Sequence, residues 1–286
     1  MSEVKRFAVL IDIENVSQKY VGLIMDEASN YGDLTIKRAY GDWTQPASAS
    51  WRKLLLENSI IPMQQFNNTF GKNSSDSALI IDAMKILYNN NVDGFCLVSS
   101  DSDFTRLAAT LKEEGKTVVG MGESKTPSAL IKACDSFKML DVLYREQNQD
   151  KEKEKDKEAS KTQEKDAAKT TRGRASRKTS TRTTVRRSSQ KSAEIEKTDA
   201  AVEKDAEKPQ SNLTKLSTIE KAIRQIITAN DDENGMNISS LGNSLQRRYP
   251  DFDTRNYGSP KLSKFLVQFN SLELTKIGNS TYVNIK

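Results

Sequence analysis

The 286 residues include no histidine, which excludes Ser-His-Asp and Cys-His nucleophilic sites, histidine general bases and His-containing zinc sites within this chain. Two cysteines are too few for a zinc site of their own; Cys96 in an apolar strand and Cys134 in an apparent helix read as small buried hydrophobes of a reducing compartment. The length allows two ordinary domains, and a formal net charge of +5 from 44 basic and 39 acidic side chains favours a polyanionic partner. The chain shows neither a signal-peptide pattern nor an apolar run near membrane-spanning length, so a cytoplasmic protein without membrane partners is expected.

Strand and helix signals alternate along the first 145 residues. A strand at 7–11 is followed by a helical pattern carrying Tyr20, Leu23, Ile24 and Ala28, then a strand at 34–40. A helix at 51–56 precedes a short strand at 60–63, and a longer helix runs from Ser75 to Tyr88 with Ser74 or Ser75 as its N-cap. Strand 95–98, helix 104–111 closed by Gly115, and strand 117–120 complete the series. This alternation predicts an α/β domain, a doubly wound parallel sheet with crossover helices on both faces.

Three aspartates follow apolar runs that read as buried parallel strands: Asp12 after residues 7–11, and Asp101 with Asp103 after residues 95–98. Open α/β sheets place their sites at the C-terminal ends of such strands. Asp76 sits in the first turn of a helix that starts at the same end of the sheet and can face the other three. Each acid taken singly also fits a helix-dipole or turn role. Four on one rim repel one another unless a cation is bound, and carboxylate-only ligation favours Mg²⁺ or Mn²⁺. Asp12, Asp76, Asp101 and Asp103 are therefore the expected metal-binding and catalytic residues, and phosphodiester hydrolysis the leading chemistry. Asn15, Ser99 and Ser100 are expected to hold carboxylates or metal waters, while Asp82, about 240° further around its helix, has a supporting role at most. Lys72, just before that helix, is expected to approach a nucleic-acid phosphate. Gly120-Met121-Gly122 and Gly71-Lys72-Asn73-Ser74 lack the spacing of dinucleotide and P-loop motifs.

Residues 146–212 are nearly free of large apolar side chains and read as a disordered charged linker, partly rich in Arg, Ser and Thr. Residues 1–145 carry 16 basic and 18 acidic side chains, the linker 18 and 14, and the remainder 10 and 7, so the basic excess lies outside the carboxylate-bearing domain. Arg172, Arg174, Arg177, Arg186 and Arg187 lie in a stretch without acids, suited to RNA, single-stranded or structured. A linker that only keeps the chain soluble is the alternative.

From residue 213 the pattern changes again. Ile219, Ile223, Ile226 and Ile227 form one helical stripe, Leu241 and Leu245 a second, and Leu262, Phe265, Leu266 and Phe269 a third entered through Ser259-Pro260 as N-cap and N1. Residues 272–277 and 281–285 around Gly278-Asn279 read as a hairpin, giving a small α+β winged helix over 213–286. Arg247, Arg248, Arg255, Lys261 and Lys264 are its candidate phosphate contacts. Tyr257 and Tyr282 suit base stacking or the small core, with the core favoured.

Two resemblances follow from these residues. Leu10-Ile11-Asp12-Ile13-Glu14-Asn15, Lys72-Asn73-Ser74-Ser75-Asp76 with Ile81-Asp82, Val98-Ser99-Ser100-Asp101-Ser102-Asp103-Phe104 and Thr126-Pro127-Ser128-Ala129-Leu130 resemble the ordered motifs of the NYN domain, LabA-like branch, of the PIN-like nucleases. That resemblance implies a metal-dependent ribonuclease domain over 1–145 with Asp12, Asp76, Asp101 and Asp103 at the metal. The run from Pro250 to Leu262 resembles the LOTUS or OST-HTH domain, which implies RNA binding or docking to a protein partner. The expected protein is an Mg²⁺- or Mn²⁺-dependent RNA endonuclease. The alternatives are a noncatalytic RNA-binding adaptor that docks a protein partner and a small-molecule phosphohydrolase.

Overall fold

Strand β1 (Arg6–Asp12) is buried on both faces because it lies at the centre of a six-stranded parallel sheet. The computed structural model describes residues 4–66, 74–89, 91–149, 213–229 and 235–286. After β1 come α1 (Val21–Ser29), β2 (Asp33–Gly41), α2 (Trp51–Asn58), β3 (Ile61–Gln64) and α3 (Ser74–Tyr88). Then follow β4 (Gly94–Val98), α4 (Thr105–Glu113), β5 (Thr117–Gly122), α5 (Ser128–Ala133), β6 (Ser136–Met139) and α6, residues 140–149. The strand order is β3-β2-β1-β4-β5-β6 with every pairing parallel, the doubly wound arrangement expected from the alternation.

Alternation along β1 divides the core. Ala8 and Leu10 join Leu79, Ala83, Phe104 and Leu107 from α3 and the start of α4, while Phe7, Val9 and Ile11 join Val21, Ile24, Trp51 and Leu143 on the other face. By the same period of two, Asp12 continues the Ala8 and Leu10 face, toward α3 and α4. Cys96 and Cys134 are both buried, and burial pushes each thiol up to about 12, so neither is a thiolate near neutrality.

The C-terminal domain comprises α7 (Leu216–Thr228), β7 (Met236–Asn237), α8 (Ile238–Arg248), α9 (Leu262–Leu266), β8 (Leu272–Ile277) and β9 (Ser280–Ile285). Its antiparallel sheet has the order β7-β9-β8, and Gly278, at φ +61°, opens the two-residue turn between β8 and β9. Phe252, Tyr257, Phe265 and Phe269 pack ring against ring, and the Tyr257 hydroxyl donates to the Thr214 carbonyl at 2.8 Å, which puts Tyr257 in the core.

Several details depart from expectation. Cys134 lies just past α5 in extended backbone rather than inside a helix. Helix α6 continues through the expected 145/146 boundary to residue 149. Helix α9 begins at Leu262 with Lys261 at its N-cap, while Ser259 and Pro260 precede it and the Ser259 hydroxyl accepts from Gln268 at 2.7 Å. Lys72, the linker arginines Arg172, Arg174, Arg177, Arg186 and Arg187, and the expected disorder of residues 150–212 all lie outside the described residues.

The described residues of 213–286 cluster with those of 4–149 as one compact unit. A network of four charges holds the C-terminal domain on the edge strand β6. Lys138 of β6 donates to Asp253 at 2.8 Å and lies 3.6 Å from Glu27 of α1, while Arg255 forks onto Glu27 at 2.6 and 3.1 Å and onto Asp253 at 2.8 and 3.1 Å. The Phe137 amide donates to the Pro250 carbonyl at 2.7 Å. Arg255, expected as a phosphate contact, is instead committed to this junction.

Candidate metal centre

The strand order reverses its direction of growth between β1 and β4, and the crevice outside their C-terminal ends is where such sheets bind ligands. Asp12 ends β1 there and is only 1% exposed. Its Oδ1 accepts the backbone amides of Glu14 and Asn15 at 3.0 and 3.3 Å; its Oδ2 accepts Asn15 Nδ2 and Ser99 Oγ, both at 2.8 Å. These four bonds account for the usual acceptor capacity of a carboxylate. Ser99 also accepts the Asp101 amide at 3.0 Å, and Asp101 Oδ1 accepts the Asp103 amide at 3.0 Å, so one chain of bonds runs from Asp12 to Asp103. Asn15 and Ser99, expected to hold carboxylates or metal waters, both donate to Asp12.

Ser100 turns the other way. It accepts the Glu123 amide at 2.9 Å and the Thr126 hydroxyl at 3.0 Å, tying the turn after β4 to the loop after β5. A Cβ at Gly122 would stand 2.7 Å from the Ser99 carbonyl and from Thr126 Oγ1, so this close approach requires glycine. In the sequence Thr126 stood out only within the quoted Thr126-Pro127-Ser128 motif, and Gly122 only within the Gly120-Met121-Gly122 run set aside as a dinucleotide motif.

Asp76 lies in the first turn of α3 and is 7% exposed. The oxygens of Asp76, Asp101 and Asp103 come within 4.8 Å of one another. Asp12 stands beside this trio rather than in it. Burial, followed by the charges of Asp12, Asp101, Glu14 and Asp103, pushes the Asp76 carboxyl up to about 6. Among the described residues, no side chain or amide donates a hydrogen bond to Asp76, no Lys or Arg forms an ion pair with Asp12, Asp76 or Asp101, and the Ser75 hydroxyl is buried without a partner. A buried, unbonded carboxylate among like charges fits a divalent cation: the donors are all oxygen, which suits Mg²⁺ or Mn²⁺. Exposed Glu14 adds charge at the rim and was legible only as part of the Asp12 motif.

Asp82 does not join the site. It takes a bidentate contact from Arg38 Nη1 at 2.6 and 2.5 Å and a hydrogen bond from the Tyr40 hydroxyl, anchoring α3 to β2.

The described residues thus form an α/β domain with carboxylates at its switch point and a small α+β domain. Residues 6–141 match the NYN domain model and residues 214–284 the OST-HTH/LOTUS domain model. The chain carries an NYN domain, of the PIN-like nuclease superfamily, followed by an OST-HTH/LOTUS domain. An uncharacterized protein of Methanocaldococcus jannaschii is 29% identical over 121 residues, 41% of this chain and 47% of that relative, so the match spans about half the relative's length. A crystal structure of a protein of unknown function from Vibrio parahaemolyticus is 20% identical, with a TM-score of 0.41, covering 49% of this chain and 94% of that one. Among the described residues no helix is long and apolar enough to cross a membrane.

Proposed function

We propose that this chain is a divalent-metal-dependent ribonuclease that hydrolyses RNA phosphodiesters internally. The observation that carries the reading is Asp76, a buried carboxylate without a hydrogen bond from any described residue, brought to Asp101 and Asp103 beside Asp12. Asp76, Asp101 and Asp103 would hold Mg²⁺ or Mn²⁺, with the Asp12 charge adjacent. Such an ion supplies Lewis acidity, lowering the pKa of a water and stabilising charge on the phosphodiester oxygens. Ser99 keeps Asp12 and the Asp101 backbone in register. Ser99→Ala is expected to lower cleavage about 10- to 100-fold with RNA affinity unchanged, as is usual for a group that orients metal ligands; equal rates in single-turnover assays would remove that role.

An acidic site needs basic surfaces elsewhere to retain RNA. Lys72 and the linker residues Arg172, Arg174, Arg177, Arg186 and Arg187 are assigned to that task, together with Lys261 and Lys264, both exposed in the C-terminal domain. Metal-dependent release of fragments from labelled RNA tests the activity. Binding without cutting, across varied RNAs and metals, would favour the adaptor.

The raised Asp76 value gives an independent check. A carboxyl held above its ordinary value takes up a proton more readily folded than unfolded, so its penalty on the metal-free fold is absent below about pH 4, grows toward pH 6 and is complete above it. The penalty is on the order of 2–3 kcal/mol at pH 7. The metal-free chain is therefore expected to melt several degrees higher at pH 5 than at pH 7, about 2–4 °C per kcal/mol. Mn²⁺ at pH 7 should recover that gain, and Asp76→Asn should remove both effects. A melting temperature indifferent to pH and Mn²⁺ would contradict the assignment.

A further inference from the structure

Docking of the C-terminal domain on β6 encloses a groove of about 840 Å³ lined from both domains. Lys112 and Lys132, in the last turns of α4 and α5, line it on one side; Arg247 and Arg248, in the last turn of α8, line it on the other. A cation at a helix C-terminus complements the dipole of its own helix. Here three helices from two domains bring theirs to one cavity.

The acids in the lining are already answered. Asp135 pairs with Lys112 at 3.0 Å and accepts the Val118 amide at 2.9 Å; Asp251 accepts the Thr214 amide and hydroxyl at 2.7 and 2.9 Å. Lys132, Arg247 and Arg248 are exposed, and none forms an ion pair with a described residue. The lining carries four basic and two acidic side chains, which leaves the groove with an excess of two positive charges. The Arg248 guanidinium lies 5.9 Å over the Tyr249 ring, which supplies an aromatic face beside the cations. The groove opens near the start of β6, whereas the carboxylate site lies beyond the C-terminal ends of β1 and β4.

We propose that this groove is a second, composite site for single-stranded RNA, in which Lys132, Arg247 and Arg248 contact phosphates and Tyr249 offers a stacking surface. Cations with an adjacent aromatic face are the pattern that grips a single strand without sequence readout. Taking RNA as the polyanion rests on the ribonuclease reading; the site itself rests on the convergence of charge across the two domains. Lys132 belongs to the first domain and enters RNA binding only because the second is docked beside it.

The test is fluorescence anisotropy of the full chain with a labelled unstructured RNA, in chelator to prevent cleavage, over a range of salt. Replacing Lys132, Arg247 and Arg248 together by Ala is expected to weaken binding at least about 10-fold near 0.1 M salt and to reduce the salt slope by about 2, at ~0.7 per single-strand phosphate contact. Lys132→Ala alone should reduce the slope by about 0.7. Tight RNA binding by the unmodified chain with affinity and slope unchanged in the triple variant would overturn the groove while leaving the ribonuclease reading intact. No RNA binding by the unmodified chain would overturn both. Displacement of the RNA by polyglutamate as readily as by unlabelled RNA would also overturn the assignment, in favour of an acidic protein segment.

Discussion

Asp101→Asn is expected to lower metal-dependent RNA cleavage by more than the roughly 100-fold upper range seen for groups that only orient metal ligands, while RNA affinity in chelator stays within a few fold. The amide keeps the size of the side chain and an oxygen able to accept the Asp103 amide, so the turn after β4 survives. What it loses is charge, one of the three carboxylates gathered within 4.8 Å. Relieving that repulsion should also bring the Asp76 carboxyl down from about 6, because Asp101 is among the charges that raise it. Single-turnover cleavage and anisotropy on the same preparation separate these effects. Undiminished cleavage would remove Asp101 from the metal site; a parallel collapse of binding and cleavage would place it in substrate recognition.

The second large effect is expected at the domain junction. Lys138 is 11% exposed at its side chain and sits between Asp253 and Glu27. Burial works against its charge, but the Asp253 carboxylate and, less strongly, Glu27 outweigh burial and hold it above its ordinary value. Burial likewise opposes charge on Asp253, yet the Arg255 hydrogen bonds and Lys138 hold it well below the usual carboxylate range. Lys138→Met leaves two buried carboxylates sharing one guanidinium, a loss of about 3–5 kcal/mol when one partner of a buried pair is removed. The Phe137 amide, which donates to Pro250, reports on docking directly, and its hydrogen exchange should accelerate at least about 100-fold. Unchanged protection would show that the four charges do not hold the domains together. Undocking should also reproduce the loss of RNA affinity expected for the groove variants.

The pH range of docking follows from the same two groups. Asp253, with its value depressed, contributes stability that is present above the ordinary carboxylate value near 4 and is lost as pH falls through the depressed one. Lys138, with its value raised, contributes stability present below about 10.4 and lost as pH rises through its folded value. Docking is therefore expected to be flat from about pH 5 to pH 9.

Much of the first domain was legible because its central strands are buried on both faces and read as unbroken apolar runs, as in residues 7–11 and 95–98. The acids that follow those runs, and the helix that starts at the same rim, could be placed by strand and helix geometry alone. Strand β6 could not: its four residues are Ser136, Phe137, Lys138 and Met139, and a lysine in the middle argues locally against burial. What neutralises it, Asp253, lies 115 positions later. Arg255 misled for the same reason, since a lone arginine on a basic domain looks like a phosphate contact until Glu27 is found beside it. The difference in surroundings among the four aspartates was also invisible. It arises from Ser99 and Asn15 filling the acceptors of Asp12 while Asp76 keeps none from the described residues.

The most direct test of the account is cleavage of labelled RNA by the unmodified chain and by its Asp76→Asn, Asp101→Asn double variant, each with Mn²⁺, with Mg²⁺ and with chelator. Internal cuts by the unmodified chain with either metal, abolished by chelator and absent from the double variant, are the predicted result. RNA bound but intact under every condition, or cleavage that survives chelator and both substitutions, would contradict it.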